Sequence, residues 1–314
     1  MSNPELVVVA PDLSDRERAG FEAITPFVHL NSQEDAVNLS AQARAAVTAM
    51  AVKFHGAVGG DQMDRFENLK TIANFGVGYD QIDVAAATAR GITVTNTPDV
   101  LNDDVADLTL AMMLAVARTI VDGDAWVRSG RWATGEAMPL NRKMSGASVG
   151  IVGLGRIGQV IANRLGAFDM DIHYHSRSPK DVPYTYHADV VDLARSVDWL
   201  VIALVGGKET EGYISREVID ALGAEGVVIN ISRGSTVDEG ALLDALEQGR
   251  IAGAGLDVFL NEPRIDPRFL ALNQVVLQPH QGSATVQTRV AMGDLQRDNI
   301  AAHFAQRPLL SPVN

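Results

Sequence analysis

Ser148-Val149-Gly150-Ile151-Val152-Gly153-Leu154-Gly155-Arg156-Ile157-Gly158 reads as a buried strand that runs into a glycine turn and then into a helix. The three glycines of the turn have separate tasks. Gly153 can take a tight turn, Gly155 lets the backbone approach a bound group, and Gly158 lets the new helix pack against the strand. The helix N-terminus then offers unsatisfied amides and the positive end of its dipole to an anion. A dinucleotide pyrophosphate suits this cradle, with Gly153, Leu154, Gly155, Arg156, Ile157 and Gly158 around it. A glycine turn without a ligand is the plainer alternative; the apolar strand before the turn and the helical residues 159–165 after it favour the cofactor. The turn begins almost halfway along the chain, so a segment of domain size precedes it.

A chain of 314 residues, 46% hydrophobic and 21% charged, is long enough for two cores and typical of a globular protein. Its longest apolar runs, such as residues 108–116, are too short to span a bilayer. The start Met1-Ser2-Asn3-Pro4-Glu5 lacks the basic and apolar regions of a signal peptide, so a cytoplasmic protein without membrane association is expected. The absence of cysteine excludes disulfides and thiolate chemistry and fits a reducing compartment. A net charge of −13 without any basic run argues against nucleic acid, although local arginines can still attract a small anion. The histidines at 29, 55, 173, 175, 187, 280 and 303 form no HxxxH or HExxH pair, so no catalytic metal is expected.

Working outward from the turn, residues 149–152, 171–175, 199–204, 227–231, 253–256 and 275–277 read as strands, with helices at 157–168 and 240–248. That rhythm predicts a doubly wound parallel sheet. The first hundred residues repeat the α/β alternation without a glycine fingerprint: strands at 6–10, 70–74 and 92–96, and helices at 15–21 and 83–90. Residues 103–128 carry Val105, Leu108, Leu110, Met112, Met113, Val116 and Ile120 at helical spacing, which predicts one long buried helix linking the two lobes. The helical segment 284–304 is too short for a domain and is assigned to the N-terminal lobe. The expected domains are therefore 1–98 with 284–314, which would bind substrate, and 99–283, which would bind the dinucleotide.

Cofactor choice in such a fold is set near the end of the second strand, where an acid holds the adenosine ribose or a cation meets a 2′-phosphate. Here His175-Ser176-Arg177-Ser178 offers a guanidinium flanked by two hydroxyls and no carboxylate, which predicts NADP(H), with NAD(H) as the lesser possibility. A solvent-facing loop arginine is the alternative. Three further strand ends carry Arg233, Glu262 and His280. Singly, each has a bland reading, as a turn residue, an exposed acid of a proline turn or a satisfied histidine. Together they suit hydride transfer at a carbonyl carbon: arginine holds a carboxylate and polarises the carbonyl, histidine supplies the proton, and glutamate stabilises the imidazolium.

The chain resembles the D-isomer-specific 2-hydroxyacid dehydrogenase family. The resemblance runs from Asn74-Phe75-Gly76-Val77-Gly78-Tyr79-Asp80 through Asp103-Asp104-Val105-Ala106-Asp107, the glycine turn, Ser232-Arg233-Gly234 and Asp257-Val258-Phe259 to Pro279-His280. It implies two Rossmann-like or flavodoxin-like lobes with parallel sheets, an active site in the interdomain cleft, and a homodimer built largely on the cofactor lobes. It also implies that Arg233 binds the substrate carboxylate and carbonyl, that Glu262 pairs with the acid/base His280, and that Asp257 helps place the nicotinamide. Amides around Val77 and Gly78 would receive the substrate carboxylate.

Within the family, Tyr174-His175-Ser176-Arg177-Ser178 is similar to the NADPH-preferring glyoxylate and hydroxypyruvate reductases, Ser176 standing where NAD-using members carry their acid. Thr210 lies in a loop that in the family runs beside the cofactor; a simple turn is the alternative. Asp169 stands where relatives commonly have glycine. Trp132 falls in a segment that reaches towards the neighbouring subunit in some relatives, and interface packing is an equal reading. The substrate's side chain would meet loops near His55-Gly56-Ala57-Val58-Gly59-Gly60 and residues 74–79, with Val58 and Phe75 as walls or as packing.

The expected activity is NADPH-dependent reduction of a small 2-oxoacid, of the glyoxylate or hydroxypyruvate type, to the D-2-hydroxyacid. An NAD-linked dehydrogenase acting on a bulkier acid and a nucleotide-sensing corepressor-like protein remain as alternatives.

Overall fold

The computed structural model describes residues 4–54 and 56–314. Met1, Ser2 and Asn3, part of the start read above, and His55, placed above near the substrate side chain, lie outside the described residues. The chain divides into two compact units, one running up to Val100 and resuming at Val286–Asn314, the other Leu101–Thr285.

In the first unit, β1 (Leu6–Val9), β2 (Phe27–Leu30), β3 (Ala49–Val52), β4 (Thr71–Asn74) and β5 (Thr93–Thr95) form a parallel sheet in the order β2-β1-β3-β4-β5. Sheets of this kind are covered on both faces, which is why β1 and β3 are uninterrupted apolar runs. Strand alternation places Val7, Val9, Met50, Val52 and Ile72 in one cluster and Leu6, Val8, Ala49, Ala51 and Ala73 in the other. The alanines leave room for the helix Val286–Phe304, whose Ile300 joins the second cluster. The Gln296 side chain of that helix donates to the carbonyls of Val52 (3.1 Å) and Ala73 (2.9 Å) at the strand ends.

In the second unit, β6 (Ser148–Val152), β7 (Asp171–His175), β8 (Thr185–His187), β9 (Trp199–Ile202), β10 (Val227–Asn230), β11 (Gly253–Leu256) and β12 (Val275–Leu277) form a parallel sheet in the order β12-β11-β10-β9-β6-β7-β8. The order reverses between β6 and β9. Open α/β sheets bind ligands at the carboxyl ends of the strands beside such a reversal.

Two local readings change. The single helix expected over 103–128 is two helices, Asn102–Ala117 and Ile120–Arg128, both wholly within the second unit rather than bridging from the first. They are separated at Arg118 and Thr119, where Thr119 is left-handed with φ 44° and its hydroxyl donates to Asn141 Oδ1 at 2.7 Å. Apolar spacing runs straight across this break, from Val116 to Ile120, so periodicity could not mark it. Asp169, just past the helix Arg156–Gly166, is also left-handed at φ 54°, a conformation glycine adopts without strain and Asp tolerates. Among the described residues, no helix is long and apolar enough to cross a membrane.

Candidate active site

Strand β6 delivers the chain to Gly153, which sits at φ +100°. A Cβ there would lie 2.6 Å from the Ala203 carbonyl oxygen just past β9. A Cβ on Gly158 would lie 2.3 Å from the Gly153 carbonyl oxygen, so these two glycines are demanded by the protein's own packing. Gly155 is different. Its φ is −80°, open to any residue, and a Cβ would meet nothing within 4 Å. The chain's own packing does not demand a glycine here, and the bare backbone leaves room for the close approach of a dinucleotide pyrophosphate at the start of the helix Arg156–Gly166. Leu154 is buried in the core and can offer only its backbone; Ile157 packs partly on the same core, and Arg156 is exposed at the first helical position.

The end of β7 lies beside the turn, because the Gly153 N–H donates to the His175 carbonyl at 2.9 Å. Beyond it, the Ser176 hydroxyl donates to the Ser178 carbonyl (2.7 Å) and the Tyr186 hydroxyl donates to the Ser176 carbonyl (3.3 Å), which fixes the loop's shape. Ser176 must therefore turn its O–H outward to donate to a phosphate. Arg177 is exposed and has no hydrogen bond or ion pair with another described residue. Thr210 donates its hydroxyl to the carbonyls of Val205 (2.7 Å) and Gly207 (3.1 Å), so its proton shapes its own loop and only its lone pairs remain for a ligand.

Arg233, Glu262, His280 and Asp257 come from the carboxyl ends of β10, β11 and β12. The Arg233 carbonyl is held by Asn230 Nδ2 (2.9 Å) and the Thr236 hydroxyl (2.7 Å), and its Nη1 donates to the Ser232 carbonyl at 2.9 Å. A Cβ on Gly234 would fall 1.9 Å from the Phe259 carbonyl carbon; the glycine lets the two loops touch and draws Arg233 towards the segment carrying Glu262. Glu262 accepts the Phe259 N–H on Oε1 (2.9 Å), while its Oε2 lies 2.7 Å from His280 Nδ1. That contact assigns the Nδ1 proton to the glutamate side. His280 itself is left-handed, at φ 56°.

Asp257 is 2% exposed, and its two oxygens accept the Gln281 N–H (2.6 Å) and the Gly282 N–H (2.8 Å). Burial pushes its carboxyl above the usual range, against the lowering effect of those two amides. The carboxylate thus anchors the loop that carries His280, a role not read from the sequence. No three His, Asp or Glu side chains among the described residues are grouped to hold a metal ion.

In the first unit, the loop after β4 carries Val77 and Gly78. Asn74 Nδ2 donates to the carbonyls of Gly76 (3.1 Å) and Gly78 (2.9 Å), and Asn96 Nδ2 donates to that of Val77 (2.9 Å). Gln81 Nε2 donates to Asn74 Oδ1 at 2.8 Å and fixes the amide's orientation. Three successive carbonyls are thereby turned to side-chain donors. The N–H groups of Gly76, Val77, Gly78 and Tyr79 have no acceptor among the described residues, which leaves four successive donors for an anion such as a carboxylate. Sequence reasoning named the two amides but not the asparagines and glutamine that aim them. The signal was two amide residues at the ends of adjacent strands β4 and β5, informative only once the strands are known to be neighbours.

Residues 110–282 match the family model described as D-isomer specific 2-hydroxyacid dehydrogenase, NAD binding domain. The chain is 47% identical over 283 residues to a hydroxyphenylpyruvate reductase of Plectranthus scutellarioides, covering 90% of this chain and 89% of that protein. It is 42% identical over 316 residues to a 2-ketogluconate reductase of Gluconobacter oxydans, covering 99% of each. Among solved structures it is similar to an NADPH-dependent glyoxylate/hydroxypyruvate reductase from Sinorhizobium meliloti in complex with NADP and malonate. That structure gives a TM-score of 0.94 and 43% identity, covering 99% of this chain and 97% of the other. With the glycine turn, the Glu262–His280 pair and the parallel sheets already in place, the chain belongs to the D-isomer-specific 2-hydroxyacid dehydrogenases, NAD(P)-dependent oxidoreductases acting on the CH–OH group of their donors.

Proposed function

We propose that this protein reduces a small 2-oxoacid of the glyoxylate or hydroxypyruvate type to the D-2-hydroxyacid, using NADPH in preference to NADH. The observation that carries the reading is the Glu262–His280 contact of 2.7 Å, on loops joined through Gly234 to Arg233. When bound, the reduced nicotinamide supplies hydride to the carbonyl carbon. His280 gives the Nε2 proton to the carbonyl oxygen as the alcohol forms, and Glu262 steadies the imidazolium from the Nδ1 side. Arg233 holds the carboxylate and polarises the carbonyl, and the amides of Val77 and Gly78 receive a carboxylate oxygen. Asp257 positions the His280 loop and, through it, the nicotinamide.

The NADPH preference is supported by the exposed Arg177 and the lack of a carboxylate at the end of β7; the similar Sinorhizobium enzyme was solved with NADP. Ser176, Ser178 and Thr210 complete the proposed cofactor contacts. A homodimer is supported by the exposed apolar side chains of Val127, Trp132 and Leu140, and a cytoplasmic location by the absence of cysteine.

Initial rates with glyoxylate, hydroxypyruvate, pyruvate, phenylpyruvate and 2-ketogluconate, each with NADPH and NADH, test the reading. Glyoxylate or hydroxypyruvate with NADPH should give the highest kcat/KM. The identity to a hydroxyphenylpyruvate reductase favours a second reading, a bulkier acid, which preference for phenylpyruvate would establish instead. Cofactor binding without turnover on any acid would leave only the sensor.

A further inference from the structure

Strand β7 ends in a histidine that no step above uses. His175 is buried and paired in register with His187 of β8. Its Nδ1 lies 3.0 Å from the His187 carbonyl, an oxygen that can only accept, so Nδ1 carries the ring proton. In the neutral ring Nε2 is then an acceptor, and the Tyr213 hydroxyl, 2.6 Å away, donates to it. Burial holds the Tyr213 phenol above its usual range, which keeps the proton it must donate. The His175 backbone carbonyl meanwhile receives the Gly153 N–H. One residue therefore touches the glycine turn, the edge strand and Tyr213, and the next residues along the chain are Ser176, Arg177 and Ser178.

Tyr213 closes the other loop at this end of the sheet. That loop leaves β9, is drawn tight by the Thr210 hydroxyl on Val205 and Gly207, and is pinned by the N–H of Gly212 on Ser235 and of Ile214 on Thr236. Among the described residues, the Tyr213–His175 bond is the side-chain hydrogen bond that joins this loop to the end of β7, from which the Arg177 loop leaves. The His175 end is held by strand pairing and the Tyr213 end by backbone bonds to the short helical turn Gly234–Thr236, so losing this tie removes the side-chain contact between them without unravelling either loop.

We propose that Tyr213 and His175 are positioning residues for cofactor choice: their hydrogen bond sets the gap between the Arg177 and Thr210 loops to fit an adenosine 2′-phosphate. This rests on the NADPH reading above. Because NADH lacks that phosphate, the tie should matter for one cofactor and not the other.

Tyr213→Phe removes only the hydroxyl. We expect KM for NADPH to rise about tenfold, as for one lost hydrogen bond to a charged ligand's site, with kcat at saturation within about twofold and KM for NADH unchanged. Calorimetry should show the same loss of affinity for 2′,5′-ADP and none for AMP. Should the variant melt early, His175→Gln is measured instead, with the same split expected. Arg177→Ala is the control on the underlying reading. If it lowers the NADPH/NADH ratio while Tyr213→Phe does not, the tie is overturned and the NADPH assignment stands. If Arg177→Ala leaves the ratio unchanged, the assignment fails and the tie with it. Equal weakening of 2′,5′-ADP and AMP would show a merely structural bond and overturn the proposal.

Discussion

At the scale of single residues, the candidate site separates groups that move protons from groups that hold others in place. His280→Ala should lower kcat about a hundredfold or more with a smaller change in KM, because the proposed general acid is lost while the proposed carboxylate contacts remain. Arg233→Ala should raise KM and lower kcat together, since in the proposed mechanism its guanidinium serves both binding and the developing oxyanion. Asn96 makes a sharper case. Among the described residues its side-chain amide hydrogen-bonds only the Val77 carbonyl, so Asn96→Ala should raise KM for the 2-oxoacid about fivefold while the dissociation constant for NADPH stays put. Steady-state kinetics with fluorescence titration of the cofactor read both quantities, and a parallel loss of cofactor affinity would show general loosening of the fold. Arg233, Glu262 and His280 were legible as residue types at strand ends. Asn74, Asn96 and Gln81 were not, because an amide aimed at a carbonyl on a neighbouring loop leaves no local pattern.

Among elements, the glycines separate packing from binding. Gly155→Ala adds a methyl group to open space, so the protein should fold with a loss of about 1 kcal/mol at this helix cap and yet bind cofactor poorly. Gly234→Ala would drive a Cβ into the Phe259 carbonyl and should cost about 3 kcal/mol or more, visible as a large fall in Tm. If Gly155→Ala bound NADPH normally, the open space there would not be the pyrophosphate site. Element identity was readable where it depended on burial: the central strands β1 and β9 are unbroken apolar runs, and β6 and β10 carry a polar residue only at one end, because both their faces are covered. It failed where it depended on a single dihedral. Thr119 turns left-handed inside a continuous helical pattern, with no glycine or asparagine to announce it. The edge strand β8 is three residues long and mostly polar, and it exists because β7 offers it a partner.

For the whole molecule, acid should be destabilising through half-buried histidines whose pKa burial lowers. His303 lies between the Thr48 hydroxyl (3.0 Å) and the Thr71 hydroxyl (2.9 Å), and burial lowers its pKa below the ordinary 6.5. Above 6.5 neither the folded nor the unfolded ring is protonated and the fold keeps its full stability. As pH falls below that value the unfolded ring takes a proton first, and stability is lost until the folded ring titrates too. His187 is lowered likewise, by burial and then by its neighbour His173, and adds to the same trend. His303→Gln should therefore shrink the drop in Tm between about pH 7.5 and about pH 5.5, and an unchanged drop would assign acid sensitivity elsewhere. The helix Val286–Phe304 has a consequence for synthesis. It covers the alanine face of the first sheet, yet it is made only after all of Leu101–Thr285. At ordinary ribosomal speeds the first sheet waits on the order of ten to forty seconds with that face uncovered. The unit that begins first is thus completed last, and the exposed strands β1, β3 and β4 are where a chaperone, or a neighbouring nascent chain, would find this protein during its making.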